Sequence, residues 1–470
     1  MKSKILLLII SLFLSFFSSN SIFSEEDNLN IPPKALPLSP IRISSYQTFK
    51  LENGLTVFLI EDHKLPTVSF VLYFDFLTKI KKTKYGLGEL TTRLMKEGAG
   101  KRSKQQLDEE LDFMGTDLVI QNNLIYASGL EKYSKESLEI LSDIVKSPAF
   151  DKNEFQKIKE EIIAEIKSNK LDPNSEANNL MKTLLYPENH PYREIPSEES
   201  MQNIKIEDCK AYHNKFFKPG NSYLAIIGDI SLDKAKTLVE SSLGNWSSRK
   251  VKDVKIPALP KEELTKIFLL DREDSVQSVI KISKLIDLKP NDKNLFSVIV
   301  MNTILGGGTF RLYENLREKN GYTYGVYSSL QPDRIAGNFS IDLSTKNNVT
   351  HKSIEEIFSE LERIQKTKVD EKELQLVKNY LTGQFSLSLE NPLTLALFAI
   401  KTAIYHLPAD FYDKYLENIR KVTAEDVQKA ANHYIPQNKM KIVVVGKKKE
   451  ILKDLNKLKD FKIVETNTTK

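Results

Sequence analysis

Short runs rich in apolar residues flank a polar stretch at two places along the chain, and such runs predict β-strands. The first run is NGLTVFLIEDHKLPTVSFVLYF (53–74), which predicts two strands around a polar turn. The second is TKIFLLDREDSVQSVIKISKLI (265–286), which predicts the same arrangement. Elsewhere apolar residues recur every three or four positions, as in SKESLEILSDIV (134–145) and HKSIEEIFSELERI (351–364), and this spacing predicts amphipathic helices.

The two strand pairs belong to a longer internal repeat. Glu207 and Glu425 occupy matching places in two helical patterns, and Gly228 and Gly446 end two matching apolar runs. Both pairs are 218 residues apart. A period of this length is too long for a solenoid, so it predicts two copies of one domain. The charged, proline-containing stretch SSRKVKDVKIPALPKEEL (247–264) has the composition of a linker between them.

The order of these elements predicts an α+β fold of two homologous domains. Each domain is expected to have a mainly antiparallel sheet with helices packed on it, because hairpin-like strand pairs replace strict strand–helix alternation. The predicted divisions are a signal peptide (1–24), a linker (25–45), an N-terminal domain (46–248), a second linker (249–262), a C-terminal domain (263–455) and a tail (456–470).

The beginning of the chain has the features of an export signal. Lys2 and Lys4 precede the apolar run ILLLIISLFLSFF, which is too short to span a bilayer, and the small polar residues SSNS follow it. Cleavage after Ser21 or Ser24 would leave an exported chain, periplasmic or extracellular, with no stable membrane span. An uncleaved membrane anchor is the alternative.

Composition narrows the possible chemistry. The formal net charge is +5 and the lysines are scattered, so the chain does not have the pattern of a nucleic-acid-binding protein. Cys209 is the only cysteine, which excludes an internal disulfide and a thiolate metal cluster. None of the six histidines lies within helical reach of another.

Several segments resemble the pitrilysin/insulinase family of zinc peptidases, which includes mitochondrial processing peptidase. They are LENGLTVFLIED (51–62), ENHPY (188–192), FKPGNSYLAIIGDI (217–230) and LGGGTFRLYENLREKNGYTYGVYSSL (305–330). The resemblance covers nearly the whole mature chain. It implies that the two domains form a half-shell, and that two half-shells close around a peptide.

The zinc signature of that family is replaced in this chain. The family has His-x-x-Glu-His three residues after a glycine such as Gly86, and here that window reads Glu89-Leu90-Thr91-Thr92-Arg93. A guanidinium has no lone pair for zinc, and a threonine cannot act as the carboxylate base. Glu165 matches the third ligand position of the family. We therefore expect neither metal nor catalysis at Glu89, Thr92 and Arg93.

The same window predicts an ion pair, since Glu89 and Arg93 are four residues apart on a helix that has Leu87, Leu90 and Leu94 on one face. The pair either fills the space where family members hold zinc or is an ordinary solvated pair on an amphipathic helix.

A second pattern in the C-terminal half implies a different role. Some family members are two-subunit enzymes whose metal-free subunit supplies Arg-x6-Tyr, and here those residues are Arg317 and Tyr324. The resemblance implies that they hold the substrate backbone and donate hydrogen bonds to the scissile carbonyl oxygen. The alternative is structural, with Arg317 at a helix C-terminus ended by Asn320-Gly321 and Tyr324 in a core strand. The stretch LGGGTF (305–310) lacks the Gly-Lys-Ser/Thr ending of a phosphate-binding loop.

These observations predict an exported, zinc-free subunit of a pitrilysin-type peptidase. It would pair with a zinc-bearing homologue in a heterodimer or heterotetramer and help bind a peptide substrate, with zinc only in the partner. The alternative is a non-enzymatic scaffold or peptide-binding protein with the same fold, as the core subunits of the respiratory bc1 complex illustrate.

Overall fold

The structure is a computed structural model that describes residues 46–121, 123–247, 251, 254–261 and 263–466. The predicted signal peptide (1–24) and first linker (25–45) lie outside the described residues.

Strands and helices follow one another in two similar series, one in each half of the chain. The strands are β1 (Gln47–Lys50), β2 (Thr56–Glu61), β3 (Thr67–Phe74), β4 (Gly98–Ala99), β5 (Arg102–Ser103), β6 (Asp117–Gln121), β7 (Leu124–Leu130), β8 (Ser222–Gly228), β9 (Lys266–Asp271), β10 (Gln277–Ile286), β11 (Thr323–Gln331), β12 (Gly337–Lys346), β13 (Lys441–Gly446) and β14 (Lys462–Thr466). The helices are α1 (Leu87–Leu94), α2 (Lys104–Met114), α3 (Ser134–Lys146), α4 (Lys152–Asn169), α5 (Pro173–Leu185), α6 (Glu198–Gln202), α7 (Ile206–Phe216), α8 (Leu232–Leu243), α9 (Leu295–Leu305), α10 (Arg311–Tyr313), α11 (Thr350–Lys366), α12 (Glu371–Ser388), α13 (Pro392–Ile404), α14 (Tyr415–Lys421), α15 (Ala424–Tyr434) and α16 (Lys448–Leu455).

The first sheet, sheet 1, has the strand order β1-β2-β8-β3-β7-β6. Its neighbours are antiparallel except for β2 and β8, which run parallel. The predicted strands β2 and β3 are confirmed, but they do not pair with each other, because β8 lies between them.

The second sheet, sheet 2, has the order β11-β12-β10-β13-β9-β14. Five of its strands repeat the order of sheet 1, with the parallel neighbours β13 and β9 in the place of β8 and β2. The sixth strand, β14, lies at the edge where sheet 1 has β1 but runs parallel to its neighbour, whereas β1 runs antiparallel to β2. The C-terminal segment differs from the predicted tail (456–470). Its residues 462–466 form β14, which pairs in parallel with β9 at the edge of the sheet.

Each sheet packs one face on its own helices to form a main hydrophobic core. In the N-terminal half, strand residues such as Phe70 and Leu72 pack with Leu90 of α1 and Leu141 of α3, and all four are fully buried. In the C-terminal half, Ile280 and its sheet neighbours pack with α9, α11 and α15 in the same way. The α+β prediction of two homologous domains is confirmed.

The other face of each sheet is covered by a helix from the opposite half. Helix α5 packs its Leu180 and Met181 against Val443 and Val445 of sheet 2. Helix α13 packs its Ala396 and Ile400 against sheet 1.

These two helices begin with the same local signal. Asp172 and Asn391 accept hydrogen bonds from backbone N–H groups of the first turns of α5 and α13, and Pro173 and Pro392 follow them. The exchange of helices joins the two halves into one half-shell.

Polar contacts reinforce this join. Arg334, in the β11–β12 turn, forms a two-pronged ion pair with Asp75 at the end of β3. Arg272, after β9, binds Glu176 of α5 at 2.6 Å. None of the described helices combines the length and the apolar character that crossing a membrane requires.

Candidate functional site

Helix α1 carries the replaced zinc window, and a glycine fixes where it begins. Gly86 has a φ of +93°, and a Cβ at this position would lie 2.5 Å from Sδ of Met201. Glycine is therefore the residue that fits this helix start. Leu90 and Leu94 are fully buried and hold the helix against the core. This packing leaves Glu89 and Arg93 together on the opposite side.

Arg93 is the centre of a three-residue ion cluster, which we call the Arg93 cluster (Glu89, Arg93 and Glu165). Its Nη2 donates to Oε1 of Glu89 at 2.6 Å. Its Nη1 and Nη2 also donate to the two carboxylate oxygens of Glu165 on α4, at 2.8 and 2.7 Å. Glu165, which matches the third ligand position of the zinc family, thus lies beside the altered window and is bound by the guanidinium.

The Arg93 cluster does not suit zinc. Zinc needs lone pairs from imidazole, thiolate or carboxylate at about 2.0–2.3 Å, and a guanidinium offers none. Thr92 is buried and donates its hydroxyl to the carbonyl of Gly88, so this hydroxyl is engaged by the helix backbone and not by either carboxylate. Among the residues that the structure describes, no three His, Cys, Asp or Glu side chains are placed to hold a metal ion.

Each charged group of this cluster stabilises the charged form of its neighbour. The hydrogen bonds from Arg93 hold the pKa of Glu165 below its usual range. The same contacts, together with the charge of Glu89, raise the pKa of Arg93. The Arg93 and Glu165 side chains are 37% and 50% exposed, so water screens part of the attraction.

A further carboxylate lies at the N-terminus of α1, and the sequence did not predict it. Oε1 of Glu194 accepts the backbone N–H of Gly86 at 2.8 Å. Burial raises the pKa of Glu194, while the positive charge of Lys182 on α5 acts in the opposite direction. An anion here suits the positive end of the helix dipole.

His190, part of the ENHPY segment, has a structural role. Its ring is buried between Tyr186 and Tyr192, and its Nδ1 accepts the backbone N–H of Tyr192 at 3.1 Å. Desolvation lowers its pKa, which favours the neutral ring. His190 therefore orders the segment after α5.

Arg317 lies in a π-helical turn (Glu314–Lys319) that continues α10, where the pattern predicted a plain helix. Such turns are rare and are often found at functional sites. The guanidinium lies over the ring of Tyr313, 4.8 Å from its centroid, and donates to the Tyr313 hydroxyl. Tyr313 was not singled out from the sequence, although its place four residues before Arg317 is the spacing at which helical side chains meet.

Tyr324 lies near the start of β11, an edge strand of sheet 2, and 86% of it is exposed. Gly321, with a φ of +62°, reverses the chain between the π-helical turn and this strand. Within the described residues no hydrogen bond joins Arg317 to Tyr324. The exposure argues against a core role for Tyr324, since a packing tyrosine would be covered.

The glycine-rich stretch after α9 packs closely on β11. The carbonyl of Gly306 accepts the N–H of Ser328 at 2.8 Å, and a Cβ on Gly306 would lie 3.2 Å from the backbone nitrogen of Ser328. Glycine is needed here for the close approach of two backbones.

Comparison with protein families gives two matches that together span most of the chain. Residues 57–192 match the insulinase family (peptidase family M16), and residues 203–381 match the peptidase M16 inactive domain.

Individual relatives agree with these matches. A Helicobacter pylori protein named "Non-peptidase homolog YmxG" is 24% identical over 398 residues, which cover 83% of this chain and 91% of that protein. The crystal structure of a peptidase M16 inactive domain from Pseudomonas fluorescens has a TM-score of 0.78 and 24% identity, and the match covers 86% of this chain and 98% of that one. The periplasmic protease PqqL from Escherichia coli has a TM-score of 0.73 and 16% identity, and the match covers 88% of this chain but 47% of PqqL.

Proposed function

Because the chain belongs to peptidase family M16, the insulinase family, we propose that it is an exported, zinc-free subunit of a peptidase, which pairs with a zinc-bearing homologue and supplies substrate-binding residues. The observation that carries the proposal is the guanidinium of Arg93, bonded to both oxygens of Glu165 where the family places its metal. The guanidinium of Arg93 thus binds the Glu165 carboxylate that zinc would need as a ligand.

The partner's zinc would polarise the scissile carbonyl and activate water, and this chain would act from the opposite wall. Arg317 and Tyr324 offer N–H and O–H donors, and both side chains are accessible to a ligand. Donors aimed at the carbonyl oxygen stabilise the negative charge that grows on it during attack. Tyr313 would orient Arg317 by holding one side of its guanidinium.

Two comparisons support a subunit that pairs with another half-shell. The chain matches about half of PqqL, as one half-shell of a larger protein would. The Helicobacter pylori relative is named a non-peptidase homolog, which is consistent with a chain that does not cleave peptides alone. Export to the periplasm or outside the cell rests on the N-terminal segment of the sequence.

Reconstitution tests the proposal. We expect the purified chain to leave peptides intact, and a zinc-bearing homologue from the same cell to cleave them only when this chain is added. If the homologue cleaves equally well alone, the shared-site proposal is wrong and the scaffold alternative is favoured.

In that complex we expect Arg317→Ala and Tyr324→Phe to lower kcat by on the order of 10²–10³, because each removes a donor to the developing oxyanion. A helix-capping arginine would instead cost about 0.3–1 kcal/mol of stability and leave the kcat of the folded complex unchanged. Measuring kcat together with the melting temperature separates the two roles. Normal kcat in both variants would contradict the assignment.

A further inference from the structure

A cavity of about 500 Å³ with polar and apolar lining residues lies between α5, the segment after it and sheet 2. Its volume is within the range of about 300–1,000 Å³ that is usual for ligand sites. Lys182 of α5 lines the cavity and lies close enough to Glu194 to influence its charge, and Glu194 binds the N-terminus of α1. Glu89 of the Arg93 cluster also influences the charge of Glu194.

Two rows of polar side chains form the floor of the cavity. Lys281 of β10 is 12% exposed and binds Asp342 of β12 at 2.6 Å. In the next row Ser283 faces Ser340 across the strands and donates to Asn338 at 2.6 Å. The Asp342 side chain is 42% exposed, and an ion pair that water reaches in this way contributes little to stability.

The N-terminal half shows that the fold does not require these polar residues. Lys281 pairs with Val443, and Val71 pairs with Ala225, the residue 218 positions earlier. Val71 is thus the counterpart of Lys281, and its cross-strand neighbour Tyr126 is the counterpart of Asp342.

The residues of the next row, Ser283 and Ser340, also have larger, less polar counterparts in sheet 1. The counterparts of Ser283 and Ser340 are Tyr73 and Leu124. In sheet 1 these positions form part of the apolar surface on which α13 packs. Apolar residues at these positions of sheet 2 would likewise be compatible with the fold. Sheet 2 instead has the Lys281–Asp342 ion pair and the two serines.

The open hydrogen-bonding capacity of the cavity indicates what it binds. Both of its carboxylates are engaged, Asp342 by Lys281 and Asp333 by the Tyr192 hydroxyl at 2.8 Å and by two backbone N–H groups. The side chains of Asn178, Lys182 and Gln331 also line it, and none of the three makes a hydrogen bond or ion pair within the described part of the chain. The cavity thus offers two amides, which can act as donor and acceptor to peptide groups, and the ammonium of Lys182. The charge of Glu194 lies near this ammonium but forms no hydrogen bond with it.

We propose that this cavity binds an extended peptide segment through Asn178 and Gln331 and takes a carboxylate of that segment at Lys182. The inference rests on the proposed function in that the ligand is a peptide, but it concerns a site in this chain alone. The carboxylate is either an acidic side chain or the C-terminus of the peptide.

Fluorescence anisotropy with the isolated full-length chain tests the proposal. The probes are three labelled twelve-residue peptides of Gly, Ser and Asn: one with a central Glu and an amidated C-terminus, one with Gln in its place, and the Gln peptide with a free C-terminus. We expect the Glu peptide, the free-terminus peptide or both to bind at least tenfold more tightly than the amidated Gln peptide. Which of them does so identifies the source of the carboxylate.

The repeat provides a matched control for the lysine. Lys401 of α13 corresponds to Lys182 of α5, because each lies nine residues after the proline that begins its helix. Lys182→Gln should weaken binding of the preferred peptide about tenfold, to the level of the amidated Gln peptide, and Lys401→Gln should leave it unchanged. Equal effects of the two substitutions would overturn the proposal, because they would indicate a general charge attraction.

A second variant tests the floor of the cavity. Lys281→Val with Asp342→Tyr installs the residues of sheet 1, so we expect a melting temperature at least as high as that of the wild type and loss of peptide binding. A folded double variant that binds as well as the wild type contradicts the proposal, and Lys182→Gln still decides the question if the double variant does not fold. Because no partner subunit enters this assay, peptide binding with failed reconstitution would refute the proposed function alone.

Discussion

The positive charge between Glu89 and Glu165 belongs to a side chain of the protein, Arg93. It therefore cannot dissociate, as a bound metal ion could. Glu89 and Glu165 belong to different helices, so the guanidinium also ties α1 to α4. A bidentate arginine–carboxylate contact is among the stronger ion pairs on a protein surface. Partial exposure limits its contribution to roughly 1 kcal/mol.

Stability as a function of pH tests the role of Arg93. The pKa of Glu165 is lowered in the folded chain, so its pairing with Arg93 stabilises the fold above the unfolded value of about 4.3. That stabilisation is lost as the pH falls through the lowered native pKa. We expect Arg93→Gln to reduce the free energy of unfolding by roughly 1 kcal/mol at pH 7, and by much less once Glu165 is protonated.

Urea unfolding at several pH values measures this difference. Glu165→Gln is the matched variant, and the double substitution should cost little more than either single one, since both remove the same contact. A destabilisation by Arg93→Gln that stays constant into acid would show that Arg93 acts through packing instead.

At the scale of the element, α1 and α4 bring Glu89 and Glu165 within hydrogen-bonding distance of Arg93. Residues four apart on α1 share one side of the helix, and Glu165 already reaches that side. We expect the combined substitutions Glu89→His, Thr92→Glu and Arg93→His to produce a chain that binds about one zinc ion, because they supply two imidazoles beside Glu165. Metal analysis after dialysis measures it.

The wild-type chain should bind no stoichiometric zinc in the same experiment. Adding Glu165→Gln to the triple variant should weaken zinc binding strongly, since it removes the third ligand. Failure of the triple variant to take up zinc, with its fold intact, would mean that Glu165 is not placed as a ligand.

The elements could be predicted from the sequence where local pattern decides them. The strands at 56–61 and 67–74 follow from short apolar runs on either side of a polar turn, and the helix that carries Glu89 and Arg93 follows from helical spacing. The neighbours of these strands could not be predicted, because β8 enters between β2 and β3 from far along the chain. The strand Lys462–Thr466 was missed since it is short and depends on an existing edge to pair with.

The site was predictable to a similar extent. Spacing gave the Glu89–Arg93 contact, whereas the place of Glu165 came only from the family resemblance. The π-helical turn at Arg317 could not be predicted from hydrophobic periodicity, since its 6 residues are too few to distinguish its period from that of an α-helix. Lys182 could not be singled out, because its surroundings come from sheet 2 of the other half.

At the scale of the whole molecule, the exchange of α5 and α13 makes the two halves depend on each other. Without its partner, each sheet would expose the apolar face that the other half covers. We expect fragments 46–247 and 263–466 to aggregate or stay partly folded when produced separately, and to form a soluble 1:1 complex when produced together. Size-exclusion chromatography and circular dichroism distinguish these outcomes.

The control fragments end at the same positions but carry serines at apolar contact residues of the exchanged helix, for example Ala396→Ser and Ile400→Ser in the second fragment. These substitutions should prevent the complex. Two wild-type fragments that each fold as stable monomers would show that the exchanged helices are dispensable for the individual domains.

The exchanged helices also determine the order in which the two halves can complete their folding. Any process that delivers the chain from its N-terminus, a ribosome or an export channel, releases all of sheet 1 by Gly228 but releases its cover, α13, only after Pro392. Sheet 2 meets the opposite situation, because its cover α5 is already present when its strands emerge. The N-terminal half therefore has to wait with an apolar face uncovered, and this interval is where a chaperone would be needed. The two halves have similar structures, but the apolar face of sheet 1 can be covered only after most of the chain has emerged.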